Sequence, residues 1–143
     1  MTRRTLLQTL SAALFLPLSG AARGTGQEAG METVYELRIY HVVPGKLDAL
    51  LARFRDHTMK LFERHGMKNM AYWTPVDEPQ KGNTLIYILQ HPSRTAAVEN
   101  WKAFQDDPEW KSVKTKSEEN GKLVEKVDST YMSLTDFSPR LRS

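Results

Sequence analysis

Val34-Tyr35-Glu36-Leu37-Arg38-Ile39-Tyr40-His41-Val42-Val43, stopped by Pro44-Gly45, alternates through its length. Tyr35, Leu37 and Ile39 fall on one side and Glu36, Arg38 and Tyr40 on the other, the period-two pattern of a half-buried strand. Beyond Pro44-Gly45 the period changes. Leu47, Leu50, Leu51, Phe54, Thr58, Leu61 and Phe62 recur at three and four residues, predicting an amphipathic helix over 46–65 that Gly66 ends. A second strand follows over 67–74, stopped by Pro75, and a third over 84–90, whose Leu85-Ile86-Tyr87-Ile88-Leu89 is apolar on both faces. After Pro92, Ser93 caps a helix through Phe104 with Ala97, Trp101 and Phe104 as its buried stripe. Asp107-Pro108 opens another helix, and a last strand runs over 123–134.

The order is therefore strand, helix, strand, repeated. The two halves share punctuation: His41 precedes Pro44 as His91 precedes Pro92, and His65-Gly66 matches Asn120-Gly121. This predicts an α+β fold of ferredoxin-like, split βαβ type: a four-stranded antiparallel sheet with helices on one face. The doubly apolar third strand, with Tyr40 and Val42 opposite Leu37 and Ile39, leaves too much apolar surface for a solvated face. A second copy is expected to cover it, giving a homodimeric α+β barrel.

The 143 residues suit one domain, and without cysteine there are no disulfides, thiolate metal sites or thiol nucleophiles. The net charge of +3 hints at an anionic partner such as nucleic acid. The first residues weaken that hint. Met1-Thr2-Arg3-Arg4-Thr5-Leu6-Leu7-Gln8, an apolar run to Leu18 and Ser19-Gly20-Ala21-Ala22 have the basic, apolar and small-residue parts of an export signal. Arg3-Arg4 resembles the twin-arginine pattern, with an ordinary Sec signal as the alternative. The run is too short and polar to span a bilayer permanently. Cleavage after Ala21 or Ala22 removes both arginines and no acid, taking the charge from +3 to +1. The remaining chain has no arginine-rich run, so no nucleic-acid partner is expected. The expected plan is a signal peptide over 1–22, a linker over 23–32, the domain over 33–137 and a tail over 138–143. The mature protein is expected in the periplasm or outside the cell, with no stable membrane anchor.

Several pieces together resemble the NIPSNAP family: Val34-Tyr35-Glu36-Leu37-Arg38-Ile39-Tyr40 before Pro44-Gly45, Arg64-His65-Gly66, Tyr72-Trp73-Thr74, Trp101 with Phe104-Gln105-Asp106-Asp107-Pro108-Glu109-Trp110, and Leu134-Thr135-Asp136-Phe137-Ser138-Pro139. The resemblance spans about 34–141 and implies a dimeric ferredoxin-like barrel. It implies no set of catalytic residues. Related barrels include cofactor-free monooxygenases, haem-degrading enzymes, haem-bound dehydratases and isomerases, and members without known activity.

The candidate site residues come from their own positions. Glu36, Arg38 and Tyr40 share one strand face at about 7 Å intervals. Arg38 can bind an anion or polarise a carbonyl, with Glu36 as base or orienting group, or the two can form an ion pair that fixes the dimer register. With the first and third strands read as parallel neighbours, His41 and His91 meet at one end of the sheet, where they could move protons or hold a metal or haem. No third ligand is spaced for a metal site. No cofactor is therefore called for, and haem stays open. His57 lies beside the apolar stripe, as a structural hydrogen-bonding group or a catalytic one. Tyr72, Trp73, Tyr87 and Tyr131 are candidates for the aromatic wall of a ligand pocket, or for core and interface. The expected activity is that of a small-molecule enzyme of oxygenase or isomerase type on a hydrophobic substrate; the alternative is a non-catalytic ligand-binding or structural dimer.

Overall fold

In the computed structural model, which describes residues 32–141, the strand read from Val34 onward becomes the centre of the sheet. β1 (Val34–Val42) is followed by α1 (Leu47–Arg53), a π-helical segment (Phe54–Thr58) and α2 (Met59–Arg64), which run on as one helix. β2 (Lys68–Trp73), β3 (Thr84–His91), α3 (Arg94–Asp106), α4 (Pro108–Ser117) and β4 (Val124–Met132) complete the chain. The segments expected to be a signal peptide (1–22) and, all but residue 32, a linker (23–32) lie outside the described residues. No helix among those described is long and apolar enough to cross a membrane.

The sheet order is β2-β3-β1-β4, with every neighbouring pair antiparallel. The α+β ferredoxin-like plan read from the alternating periods is the observed fold. The pairing of β1 with β3 corrects one expectation. These strands are antiparallel, with Val34 opposite His91 and His41 opposite Thr84, so the two histidines sit at opposite ends of the sheet. A split βαβ repeat makes its central strands antiparallel because the hairpin between the halves reverses the chain before the second half starts.

The face of β1 that meets the helices is also the reverse of the one the apolar pattern suggests. Glu36, Arg38, Tyr40 and Val42 point toward the helical layer, in the same rows as Leu85, Tyr87 and Leu89 of the core. Tyr35, Leu37 and Ile39 lie on the open side with Ile86 and Ile88. The inner face belongs to the larger side chains: Tyr40 and Tyr87 pack edge-on against Phe54, and Phe62 stacks on Tyr87. Aromatic rings there fill the thick layer between sheet and helices better than isoleucines would.

Helix ends follow the sequence. The Ser93 hydroxyl accepts from Ala96 N–H at 3.0 Å, and the Asp107 carboxylate from Glu109 N–H at 2.7 Å, each satisfying a free first-turn donor. Gly66 closes α2 at φ +73°, and its carbonyl accepts from Asn100 Nδ2. The helical layer covers β1, β2 and β3 but stops short of β4, where Val127 and Ser129 stay exposed on the inner side. That uncovered margin makes a trough. In the tail, Phe137 is 83% exposed.

Candidate functional site

The trough is floored by β1 and β4 and roofed by α3 and α4. Beneath α3 it is a cavity of about 390 Å³ lined by Arg38, Tyr40, Trp101, Trp110, Lys111 and Lys114. Alternation puts Arg38 and Tyr40 on the floor, and helical spacing brings Trp101 down onto them.

Arg38 is held from behind. Its Nη1 donates to Glu36 Oε1 at 2.7 Å, and its guanidinium lies 4.2 Å from the Trp101 ring centre and 5.6 Å from that of Tyr40. Glu36 is only 1% exposed, yet its two oxygens take three further donors: Ser129 Oγ at 2.7 Å, Trp101 Nε1 at 2.6 Å and His91 Nε2 at 2.9 Å. Burial raises the carboxyl's pKa, but the hydrogen bonds from His91, Ser129, Trp101 and Arg38 outweigh it and bring the value down to about 2. Glu36 is therefore a fixed anion and a poor base. Burial works against the Arg38 charge, and the hydrogen bond and charge of Glu36 help to push its pKa above the usual arginine value. Among the described residues no other hydrogen bond reaches the guanidinium, and its Nε is enclosed without a partner. The side chain is 16% exposed, so an open edge meets the cavity.

Tyr40 supplies a second donor. Tyr87 Oη donates to Tyr40 Oη at 3.0 Å, which leaves the Tyr40 proton for a group in the trough. Burial pushes the Tyr87 pKa well up, so it remains the protonated donor in this pair. A cation and a hydroxyl beside aromatic rings can hold an oxyanion carried on a flat apolar body.

The remaining candidates divide by face and end. His91 is fully buried behind Glu36 as a prop for the carboxylate, with its Nδ1 unpartnered. His41, at the other end, is on the open face with Nε2 2.7 Å from Asp128 Oδ2. The two share no site, so the joint metal or haem role is overturned; among the described residues no group of three His, Asp or Glu could hold a metal. His57 is exposed in the π-helical segment and lines a separate groove between α1 and α4. Tyr72 stacks on Tyr87 with centroids 5.1 Å apart and belongs to the aromatic core behind the floor. Trp73, 49% exposed, points to the opposite face of the sheet. Tyr131 lies by His91 under the Arg94 guanidinium, away from Tyr72 and Tyr87, so the four aromatics do not form one wall. The Glu36–Arg38 pair faces the helices, so it is not a lock across the open sheet face.

Trp110, Lys111, Lys114, Arg53 and Ser129 escaped the sequence reading as site residues. Trp101 and Trp110 read only as helix packing, and a lone serine or surface lysine carries no signal by itself. The usable clue was the row itself, since alternation sets Tyr40 in line with Arg38.

The NIPSNAP profile matches residues 35–139. An uncharacterised NIPSNAP-like domain protein of Burkholderia xenovorans superposes with a TM-score of 0.66 at 16% identity, covering 78% of this chain and 93% of its own. A NIPSNAP protein of unknown function from Agrobacterium tumefaciens gives 0.65 at 22% identity, covering 78% and 96%. SnoaB from Streptomyces nogalater, a cofactor-independent oxygenase, gives 0.50 at 15% identity, covering 76% and 98%. No curated protein matches.

Proposed function

The chain belongs to the NIPSNAP family, and from that premise we propose that it is an exported homodimeric barrel that binds a flat hydrophobic small molecule through its oxyanion, as an enzyme of oxygenase or isomerase type. The observation that carries the reading is Arg38, fixed from behind by Glu36 and set between Trp101 and Tyr40 at the floor of the trough. A ketone or phenol there loses an acidic proton to solvent, and the oxygen of the resulting anion rests on Arg38 and the Tyr40 hydroxyl. Return of the proton to a different carbon completes an isomerisation; in an oxygenation the carbanion attacks dioxygen, a solvent proton on the outer oxygen gives a hydroperoxide, and loss of the remaining hydrogen of that carbon with cleavage of the O–O bond releases water and leaves a new carbonyl. SnoaB is a cofactor-independent oxygenase on this fold, which is support by analogy. Export is supported by the Arg3-Arg4 signal pattern, and dimerisation by the apolar open face.

The alternative, binding without turnover, is favoured by one feature: Glu36, the carboxylate that touches Arg38, has its pKa lowered to about 2 and is too weak a base to take the substrate's proton. Proton exchange decides between them. Deuterium uptake by 2-tetralone in D₂O, followed by NMR, should be accelerated by the protein, and Arg38→Met should reduce that acceleration by about 10²-fold. Binding of 2-naphthoate without faster exchange selects the non-catalytic alternative.

A further inference from the structure

The trough continues beyond Tyr40 to a second cationic end. Along β4 lies a cavity of about 320 Å³ that shares Tyr40, Trp110 and Lys114 with the one beneath α3. It reaches Val124, the strand partner of Val42, four residues beyond Arg38 and about 13 Å away along the strand. At this end Arg53 repeats the arrangement of Arg38. Its guanidinium lies 5.2 Å from the Trp110 ring centre, and its Nη1 donates to Ser117 Oγ and Glu118 Oε1, both at 3.2 Å. Its side chain is 5% exposed, and its Nε is enclosed with no hydrogen-bond partner.

The two ends differ in how well their charge is met. Arg38 faces a carboxylate at 2.7 Å that is almost wholly buried, whereas Arg53 faces the partly exposed Glu118 through one longer contact. Lys114 and Lys122 add positive charge at the Arg53 end, where Lys126 is paired with Asp128 and Glu125 is a further carboxylate; among the described residues neither Lys114 nor Lys122 has an ion pair within 4 Å. A single anion on Arg38 leaves this second end with more cations than carboxylates.

We infer that the trough takes a rigid, flat dianion, with one acid group on Arg38 and Tyr40, its body against Trp110, and the second acid group at Arg53 with Lys114 and Lys122. This rests on the reading of Arg38 as the oxyanion anchor and adds the class of ligand.

Calorimetric titration of the purified protein with 2,6-naphthalenedicarboxylate and with 2-naphthoate tests it. The diacid should bind about 10-fold or more tightly than the monoacid, the worth of one charge-assisted contact. Arg53→Met should erase that advantage while leaving 2-naphthoate affinity within about 3-fold. Because Arg53 is buried, the double change Lys114→Ala, Lys122→Ala at exposed positions provides a version that does not disturb packing; it should remove much of the advantage and flatten the salt dependence of diacid binding. Equal affinity for the two acids, or an advantage that survives every variant, overturns the inference while leaving the Arg38 anchor standing. Failure of both acids to bind removes the anchor and the inference together.

Discussion

Glu36 takes hydrogen bonds from Arg38, His91, Trp101 and Ser129 while lying out of water, and its ionisation is tied to folding. Its pKa falls from the ordinary 4.5 to about 2, so the unfolded chain binds its proton more readily than the native one. The stability this gives is complete above about pH 4.5 and drains as the pH drops toward 2. Glu36→Gln should flatten that acid limb in urea melts recorded from pH 2 to 6. It should also cost about 3 kcal/mol at neutral pH, because the Arg38 charge stays buried without its partner. The sequence made the Glu36, Arg38 and Tyr40 row legible by alternation alone. Which way the row pointed was not legible, because Leu37 and Ile39 on the other side look equally like core, and the donors that choose the face, Trp101 and Ser129, are 65 and 93 residues away.

Local rules predict the helix limits well, since the caps are chemical. Ser93→Ala should lower stability by about 1 kcal/mol through loss of the Ala96 contact, read from the urea midpoint. Gly66→Ala should cost at least as much: the backbone is left-handed there, and an added Cβ would come within 2.9 Å of Asn100 Nδ2. The π-helical segment is an element the sequence did not announce. Met59 N–H bonds back to Phe54 C=O, and the Thr58 hydroxyl donates to the Arg53 carbonyl at 3.2 Å, so the bulge satisfies itself without glycine or proline to mark it. The extra residue in the turn buries Arg53 and Phe54 side by side, where a regular helical stripe would accept only Phe54. A reading by period therefore finds the helix and misses the arginine at the second end of the trough.

At the scale of the whole molecule, the fold was legible because two halves with the same order of periods leave few topologies open, while the trough was not, since it arises where helices fall short of β4. The open face carries Leu37 opposite Ile88 and Ile39 opposite Ile86, the apolar rows on which the proposed dimer rests. Ile88→Lys should turn a dimer into a monomer in sedimentation velocity with its circular dichroism unchanged; a wild-type chain that already sediments as a monomer would refute the dimer. The sheet order carries a further consequence, for synthesis. β1 is the first strand to leave the ribosome, yet one of its two neighbours is the last, and Glu36 must wait 93 residues for Ser129. At ordinary translation speeds that interval is roughly 5–20 s, during which a central strand has a bare edge. A nascent chain of this kind invites a chaperone on that edge, and the proposed oxyanion site is complete only after the final strand has been released and paired.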